Sequence, residues 1–385
     1  MKLTNYRINT VLDSRAEWVR EYELIAEDGL KGTGSAPTGE TLSHRELRSL
    51  EKIVENSPGK ASRILNKLRG STLSHVEFDE LLTSSQLDPR DIFALSSAFF
   101  DLEFQDRVLA EPIDPGSVRF CLNLLNGGNH AYTNPVRSDF HEFLLVPPAN
   151  GDCRESIEDY RRINEKIAAS LKKYPLIDVA GNLVADVGNG SNFDVIAFLG
   201  SLKDGEGLEG YEMMIDASGT DLWVDGGYHL GIADGNDLSP PAFVDYWLKL
   251  IELGKIQYLE DPFHENDLES WDRLNREQEN CILVGDNFHS GNVAKFTELA
   301  GQGLMGAVML KPDQAHTVSA TDQIVDIAKQ NGIEVILSHR SISTDSGFLG
   351  KYMLANRLKF AKFGNLLSDF SSILKMNHVI REFRD

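Results

Sequence analysis

The sequence predicts an α/β protein in which an α+β unit is followed by a parallel (β/α)8 barrel. The first 112 residues read as strands followed by helices, which is typical of an α+β unit. In the second half, strand-like runs alternate with helical stretches, and five successive strand ends lie at positions 216, 260, 286, 311 and 339. That spacing accommodates a strand, a loop, a helix and a second loop. The stretch E-P-I-D-P-G separates the two patterns, so we expect domains at residues 1–112 and 113–385.

The N-terminal unit begins with two strand-like segments, Y-R-I-N-T-V-L (6–12) and V-R-E-Y-E-L-I-A (19–26). The stretch E-D-G-L-K-G follows them and is typical of a turn, so a hairpin or meander is expected over residues 1–33. A stretch rich in Gly, Ser, Thr and Pro comes next. Mostly helical segments then continue to about residue 112, with Pro89 at the start of one helix.

Strands and helices alternate less regularly in the first part of the barrel half than in its later part. Its first strand-like segments are R-F-C-L-N-L-L-N-G-G (119–128), F-H-E-F-L-L-V-P-P (140–148) and L-V-A-D-V-G (183–188). Between the last two, residues 155–174 predict an amphipathic helix with its N-cap near Ser156. From Tyr211 to His339, strands and helices alternate. We expect a last short strand at Phe360–Gly364 and then a C-terminal helix.

Composition and charge exclude several classes of partner. The formal charge is −21, from 38 basic and 59 acidic residues, which disfavours nucleic acids and anionic membranes. The three cysteines are far apart in the chain, as expected in a reducing compartment. The N-terminus lacks the apolar core of a signal peptide, and no apolar run approaches ~18 residues. We therefore expect a cytoplasmic protein without a membrane partner.

The predicted strand ends carry the residues with the clearest chemistry. They are Asp216, Glu260 with Asp261, Asp286, Lys311, and the run His339, Arg340 and Ser341. Carboxyl ends of barrel strands meet on one face, where active sites form. Three carboxylates at one point repel each other unless a cation lies between them, and hard oxygen ligands favour Mg²⁺ or Mn²⁺ over zinc. A single aspartate at such a position would more often be a helix N-cap or an ion-pair partner.

The other ionisable residues each allow two interpretations. Lys311 is either a base whose pKa is lowered beside a metal ion or a side chain that reaches solvent. Arg340 and Ser341 suit a phosphate or carboxylate, although a loop arginine can equally pair with an acid. The stretch N-G-G-N-H (126–130) is typical of a mobile loop, in which His130 is a proton donor, a phosphate contact or a solvated side chain.

Together these segments resemble the enolase family of the enolase superfamily. The resemblance runs nearly from end to end. The segments that carry it are V-L-D-S-R (11–15), N-G-G-N-H-A (126–131), F-H-E-F-L-L-V-P (140–147), L-E-D-P-F (259–263), V-G-D-N (284–287), M-L-K-P-D-Q (309–314) and L-S-H-R-S (337–341). They are similar to that family's I-L-D-S-R, N-G-G-S-H-A, M-Q-E-F-M-I-L-P, I-E-D-P-F, V-G-D-D, L-L-K-V-N-Q and V-S-H-R-S.

The resemblance implies a capping domain, a modified TIM (β/α)8 barrel and pairing of two copies into a homodimer. It places the Mg²⁺ ligands at Asp216, Glu260 and Asp286. The implied catalytic residues are Lys311 as the base, Glu142, His130 and His339. The implied substrate contacts are Arg340, Ser341, Lys362 and again His130. The implied substrate is a small anionic phosphorylated carboxylate.

Three departures from the family pattern concern the active site. Gly190, in V-G-N-G-S-N-F-D-V, stands where the family has a glutamate that helps to protonate the departing hydroxyl. Pro37 replaces a loop serine that contacts a second Mg²⁺, and His141 replaces the glutamine before Glu142. Loss of such an acid should slow dehydration by roughly 10²–10⁴-fold, whereas the residues for removing the α-proton are kept.

Three functions therefore remain open at this point. The first is a Mg²⁺-dependent lyase of the phosphopyruvate hydratase type, converting 2-phosphoglycerate to phosphoenolpyruvate or acting on a close variant, with His130, His141 or Asp194 as the acid. The second is a relative that acts on another phospho- or phosphono-carboxylate, such as carboxyphosphonoenolpyruvate synthase in phosphonate natural-product biosynthesis. The third is a non-catalytic protein on the same scaffold.

Overall fold

The computed structural model describes residues 1–39, 42–43, 45–47, 54–105, 113–367 and 370–383. The predicted boundary between residues 112 and 113 adjoins residues 106–112, which lie outside the described residues. Across these described ranges, every helix is too short or too polar to cross a membrane.

The N-terminal unit is an antiparallel sheet covered by helices, as predicted. Its strands are β1 (Leu3–Leu12), β2 (Trp18–Ala26) and β3 (Lys31–Ser35), and its helices are α1 (Ser57–Leu68), α2 (His75–Thr83) and α3 (Pro89–Gln105). Alternate residues Tyr22, Leu24 and Ala26 of β2 are buried, which is the pattern of a strand with one face on a core. Glycines bring β3 close to α3, because a Cβ at Gly34 would lie 2.1 Å from the carbonyl oxygen of Ala94.

The second half forms a barrel with a small hairpin and a small extra sheet. Its strands are β4 (Arg119–Phe120), β5 (Leu122–Asn126), β6 (Glu142–Val146), β7 (Leu176–Val179), β8 (Asn182–Ala185), β9 (Glu212–Asp216), β10 (Trp223–Val224), β11 (Gly227–Leu230), β12 (Asn236–Leu238), β13 (Ile256–Glu260), β14 (Ile282–Gly285), β15 (Ala307–Leu310), β16 (Glu334–Ser338) and β17 (Phe360–Lys362). The barrel sheet has the order β4-β17-β16-β15-β14-β13-β9-β6-β5. The chain continues from β4 through Cys121 into β5, so the sheet closes on itself.

Strand direction departs from a simple parallel barrel at β6. This strand pairs antiparallel with both β5 and β9, whereas the pairs from β9 through β13 to β17 and β4 are parallel. The irregular start implied by the family resemblance is therefore present. As a result, Glu142, the first residue of β6, lies beside Asp216, the last residue of β9.

Helices cover the outside of the barrel. They are α4 (Cys153–Leu171), α5 (Asn192–Gly205), α6 (Pro240–Gly254), α7 (Leu268–Glu277), α8 (Val293–Gln302), α9 (Val318–Gln330), α10 (Phe348–Ala355) and α11 (Phe370–Ile380). The expected N-cap near Ser156 is wrong, because Asp152 caps α4 by accepting a hydrogen bond from the backbone N–H of Arg154. The strand predicted at 183–188 overlaps β8, which pairs with β7 in a hairpin outside the barrel sheet. Its Leu183 is exposed.

Apolar side chains fill the interior of the barrel. Those that form the inner cluster are Cys121, Leu144, Val146, Met214, Tyr258, Val284, Ala307, Met309, Ile336 and Phe360. Because alternate residues on each strand point inward, this filling leaves space for a site only beyond the strand ends.

Candidate active site

The predicted site residues meet at the face where the parallel strands end. Asp216 and Glu260 are the last residues of β9 and β13 and lie opposite each other in the parallel register. Asp286 and Lys311 directly follow β14 and β15, and Lys362 ends β17. The residues that precede each of these strand ends are mostly apolar and buried, and the ionisable residue at the carboxyl end lies at the mouth of the barrel.

Lys362 lies among three carboxylates. Its Nζ is 2.6 Å from Glu142 Oε2, 2.7 Å from Glu260 Oε2 and 3.4 Å from Asp216 Oδ2. Burial alone would lower the pKa of Lys362, but the carboxylates of Glu142 and Glu260 outweigh burial and raise its pKa well above the ordinary value. Lys362 is therefore a permanent positive charge in this part of the site.

Lys311 pairs with a different carboxylate. Its Nζ donates a hydrogen bond to Asp286 Oδ2. Burial lowers the pKa of Lys311, yet the Asp286 carboxylate outweighs burial and the pKa is raised. This differs from the lowered pKa expected beside a metal ion, because the nearest charge to the amine here is a carboxylate.

The buried carboxylates differ in their protonation. Burial would raise the pKa of Glu142, but Lys362 outweighs it and the pKa falls to about 2. Burial, followed by repulsion from Asp216, raises the pKa of Glu260 well above its usual range. Two carboxylate oxygens, Glu260 Oε1 and Asp286 Oδ1, are buried without a hydrogen-bond partner in the part of the chain that the structure describes.

These oxygens provide a test of whether the site fits a metal ion. Three hard carboxylate ligands and two unsatisfied buried oxygens suit Mg²⁺ by their chemistry. Among the described residues, however, no group of three His, Cys, Asp or Glu side chains is arranged to hold a metal ion. The lysines lie between the carboxylates instead, so metal binding would require Lys362 or Lys311 to shift.

A cavity of about 250 Å³ adjoins this cluster. Four predicted site residues line it: His130, Glu142, His339 and Ser341. The loop that carries His130 follows β5, and the start of β6 supplies Glu142, so the antiparallel pair brings both residues to the same face. The structure thus brings these four residues together above the lysine–carboxylate cluster.

Arg340 has a different environment from the one expected of a substrate contact. Its Nη2 is 2.7 Å from Glu46 Oε1, and its Nη1 is 2.7 Å from Asp313 Oδ2. The side chain is almost completely buried. Arg340 therefore forms ion pairs with two acidic side chains, as one of the two interpretations of the sequence expected. Its contact with a substrate stays a prediction.

The region around Gly190 contains a guanidinium in place of the missing glutamate. Gly190 has φ +84°, and a Cβ there would lie 2.6 Å from Arg137 Nη1. Arg137 in turn lies 3.3 Å from Asp186. Asp194, one candidate for the missing acid, accepts hydrogen bonds from Ser191 in the capping box of α5.

The two histidine candidates for that acid lie in contact with each other. The ring centroids of His130 and His141 are 4.4 Å apart. His130 lines the cavity, whereas His141 is buried behind it with Nε2 3.4 Å from Asp221 Oδ2. Burial lowers the pKa of His141 to about 4, so this side chain is neutral at physiological pH.

Residues that the sequence did not assign also contribute to the site. Arg15 and Tyr132 line the 250 Å³ cavity, with the guanidinium carbon 5.3 Å from the ring centroid. Arg15 belongs to V-L-D-S-R, a segment that carries the family resemblance, so that segment could have identified it as a site residue. Asp313 stands where the similar family segment has asparagine. This difference could have indicated that Asp313 pairs with Arg340. Pro37 lines a small cavity of about 20 Å³ together with Asp313 and Arg340.

Comparison with known proteins identifies the family. The family described as "Enolase, C-terminal TIM barrel domain" matches residues 118–383. The chain is 26% identical to a protein named Enolase from Sulfurisphaera tokodaii, over 94% of this chain and 90% of the relative. The Enolase of Saccharolobus solfataricus is also 26% identical, over 92% and 89%, and that of Legionella pneumophila is 24% identical, over 98% and 97%. Because the family match covers more than half of the chain, this protein belongs to the enolase family.

Proposed function

We propose that this protein is a Mg²⁺-dependent lyase that removes the proton α to the carboxylate of a phosphorylated hydroxy acid. The reaction is of the phosphopyruvate hydratase type, from 2-phosphoglycerate to phosphoenolpyruvate or a close variant. The observation that carries the proposal is the position of Lys311 beside Asp286 at the barrel mouth, next to the Lys362 cluster. Family membership supports a lyase-type enzyme.

The charges of the site support a requirement for a divalent cation. Its carboxylates are Asp216, Glu260, Asp286, Glu142, Glu46 and Asp313, and its cations are Lys311, Lys362 and Arg340. Carboxyl groups outnumber cationic side chains two to one, although burial raises the pKa of two of them, Glu260 and Asp313. An anionic substrate is repelled from such a site unless further positive charge enters with it.

Asp216, Glu260 and Asp286 are the residues that would hold Mg²⁺, with Mn²⁺ as the second candidate. Bound there, the ion supplies electrostatic stabilisation of the negative charge that forms on the substrate carboxylate when the α-proton leaves. Lys362 adds a fixed positive charge on the same side of the site.

Lys311 is the residue that accepts the proton. It can do so only as a neutral amine, and its hydrogen bond to Asp286 Oδ2 favours the charged form. When Asp286 engages another partner, Lys311 loses the carboxylate that raises its pKa, and the neutral amine becomes accessible. His130 and His339 line the adjoining cavity and are the candidates to protonate a leaving hydroxyl.

Exchange of the substrate's α-proton with solvent deuterium tests this assignment. With 2-phosphoglycerate and Mg²⁺, we expect Lys311→Ala to lower the exchange rate by about 10²–10⁴-fold, because the base is removed. NMR measures the exchange directly, without depending on later steps. The matched control is Lys329→Ala, an exposed lysine on α9. Undiminished exchange in Lys311→Ala would contradict the role of Lys311.

A specific observation favours the second candidate, a relative acting on another phospho- or phosphono-carboxylate. Arg137 occupies the space beside Gly190, and a guanidinium cannot donate a proton to a leaving hydroxyl at neutral pH. The enzyme should then exchange the α-proton of 2-phosphoglycerate faster than it forms phosphoenolpyruvate. Equal rates would show that another acid acts and would support the hydratase. A homodimer is a further proposal from the family resemblance, and a cytoplasmic location is a further proposal from the scattered cysteines.

A further inference from the structure

Two residues after Gly190, the first turn of α5 reaches across to the segment that precedes β6. Asn192 is completely buried, and its Oδ1 accepts hydrogen bonds from the Ser138 hydroxyl and the Asp139 backbone N–H, both at 2.8 Å. Its Nδ2 donates to Asp139 Oδ2 at 2.9 Å and to the Tyr246 hydroxyl at 3.2 Å. A backbone N–H only donates and an ionised carboxylate only accepts, so these partners fix the orientation of the amide. All four hydrogen bonds open to this side chain are formed.

Asp139 is a buried carboxylate that N–H groups hold in place. The residue is only 2% exposed. The backbone N–H of Ile232 donates to Oδ1 at 2.7 Å, and that of Ala233 donates to Oδ2 at 3.1 Å. The Asn192 amide is the side-chain donor to the same carboxylate. Because a buried charge is costly when its hydrogen bonds are lost, removal of the Asn192 donor favours a displacement of the segment that carries Asp139.

The loop that carries His130 lies on this same segment. The backbone N–H of Gly128 donates to the carbonyl oxygen of Ser138 at 2.9 Å, and that of Gly127 donates to the carbonyl oxygen of His141 at 3.0 Å. The N–H of His130 donates in turn to the carbonyl oxygen of Gly127 at 3.0 Å. The approach is close, since a Cβ at Gly127 would lie 2.7 Å from Ser138 Cβ. A displacement of Ser138 therefore shifts the backbone that carries His130.

We propose that Asn192 and Asp139 are positioning residues that set His130 and Glu142 against the substrate. Glu142 follows the same segment directly, as the first residue of β6. The stretch after β8 has Gly190 instead of an acid, and through Asn192 it orients the loop of His130, a candidate for that acid. The inference rests on the proposed function in one respect, since it takes His130 and Glu142 as residues that contact the substrate.

The substitution Asn192→Asp tests this assignment. It keeps the size of the side chain and the acceptor, but it turns an oxygen toward Asp139, so two carboxyl groups repel each other when both are ionised. With Mg²⁺ and 2-phosphoglycerate, we expect kcat for phosphoenolpyruvate formation to fall by about 10–100-fold at high pH, with a smaller change in KM, because the loss is one of orientation. The ratio of this kcat to that of the wild type should recover as the pH falls, since a proton on the new carboxyl restores a donor.

Asn331→Asp is the matched control for this measurement. It makes the same change on an exposed residue at the C-terminal end of α9, and its kcat should follow the wild type at every pH.

The imidazole resonance of His130 gives a readout that does not depend on turnover. Isotope-labelled histidine makes it visible by NMR, and its absence from His130→Gln assigns it. In Asn192→Asp at high pH, the Cε1–H signal of His130 should be displaced from its wild-type position, and it should return as the pH falls. A network that served only the stability of the fold would lower the urea midpoint but leave this signal and kcat unchanged.

Two further variants separate the positioning contacts from the rest of the network. Ser138→Ala removes one hydrogen bond to Asn192 and is a milder change, so it keeps the test available if Asn192→Asp does not fold. It should displace the His130 signal by a smaller amount. Tyr246→Phe removes the hydroxyl that contacts Asn192 but keeps the bonds from Asn192 to Ser138 and Asp139. It should lower stability without moving the His130 signal.

Two results would overturn the inference. A His130 signal that keeps its wild-type position in Asn192→Asp and in Ser138→Ala would show that the network stabilises the fold alone. An equal displacement in Tyr246→Phe would show that any loss from the network disturbs the loop, so that the contact between Asn192 and Asp139 has no specific role. Failure of the proposed function is a separate outcome, because a protein that does not convert 2-phosphoglycerate would still show the displaced His130 signal.

Discussion

At the residue scale, Asp286 has two carboxylate oxygens in different situations. Oδ2 accepts a hydrogen bond from Lys311, whereas Oδ1 is buried and has no hydrogen-bond partner among the described residues. A buried carboxylate oxygen without a partner costs free energy. The backbone N–H of Asp286 donates to Asp261 Oδ1 at 3.0 Å, which fixes the end of β14 and keeps the side chain in place. Asp286 therefore gains from a nearby cation without a change in the backbone.

We predict that Mg²⁺ raises the midpoint of thermal unfolding of the wild type. Binding to the folded state alone stabilises it by about 2.7 kcal/mol at a ligand concentration 100 times Kd. Asp286→Asn should lose most of this stabilisation, because a charged ligand becomes a neutral amide. Asp225→Asn, in an exposed turn, is the control and should keep it. An equal increase in all three proteins would contradict the metal site.

The burial of His141 predicts a pH dependence of stability. Burial lowers the pKa of this imidazole to about 4, from an ordinary histidine value of about 6.5. Between these pH values the unfolded chain binds a proton that the folded chain does not, so stability falls as pH drops from 6.5 to 4. The contribution is at most about 3 kcal/mol.

His141→Gln should flatten the stability curve over that pH window, and glutamine is the residue of the similar family segment. Urea unfolding at several pH values measures this. His289 supplies the internal reference, because burial lowers its pKa to about 4 as well and its contribution remains in the variant. A curve with unchanged slope would show that His141 is not the group responsible.

The sequence was sufficient to place site residues but not to pair them. Lys311, Lys362 and Glu260 each end or follow an apolar strand, and the carboxyl ends of parallel strands share one face. The partners were not predictable, because they depend on packing between distant segments. Lys362 contacts Glu142, which is far away in sequence, and Arg340 contacts Glu46 from the other half of the chain.

At the scale of elements, the strands were easier to predict than their directions and neighbours. Apolar runs that end at a charge identify β9, β13 and β14, but apolar content does not encode direction. The family resemblance implied a modified barrel, but the antiparallel course of β6 was not predicted. The segment that contains Leu183 was predicted to be a barrel strand because leucine is typical of a core position. Leu183 is exposed in the fold, and the segment belongs to the β7–β8 hairpin.

The loop between β8 and α5 gives a prediction about Gly190. Its φ of +84° is one that side chains with a Cβ rarely adopt, and Arg137 fills the adjacent space. Gly190→Ala should therefore destabilise the protein by about 1–2 kcal/mol. Gly190→Glu meets the same obstacle, so it is not expected to restore hydratase activity by itself.

Gly205→Ala is the matched control for this prediction. Gly205 ends α5, has open space around its Cβ position and has no unusual φ. The same substitution there should leave stability unchanged or raise it by up to about 1 kcal/mol. Urea unfolding measures both variants. Equal effects of the two substitutions would show that the loop conformation is not specific to glycine.

At the scale of the whole molecule, aromatic side chains join the N-terminal unit to the barrel. Phe93 and Phe100 of α3 pack on Phe348 of α10, with ring centroids 5.4 and 5.2 Å apart. Lys351, also on α10, donates a hydrogen bond to Asp101 of α3. The sequence predicted the two units, but this contact between them was not predicted. Arg15 of the N-terminal unit lines the cavity at the barrel mouth.

We predict that Phe348→Ala weakens this docking as well as stability. Truncation of a buried phenylalanine costs about 3–5 kcal/mol, and here the lost contacts lie between the two units. Hydrogen–deuterium exchange should therefore become faster in β1–β3, with little change in β13–β16. Phe243→Ala on α6 is the control, because Phe243 is also buried but packs on Tyr228 and Phe263 within the barrel half. Its loss of stability should be similar, without selective exchange in the N-terminal unit. If Phe348→Ala sped exchange uniformly, the two units would open together, which would contradict a specific role of Phe348 in their docking.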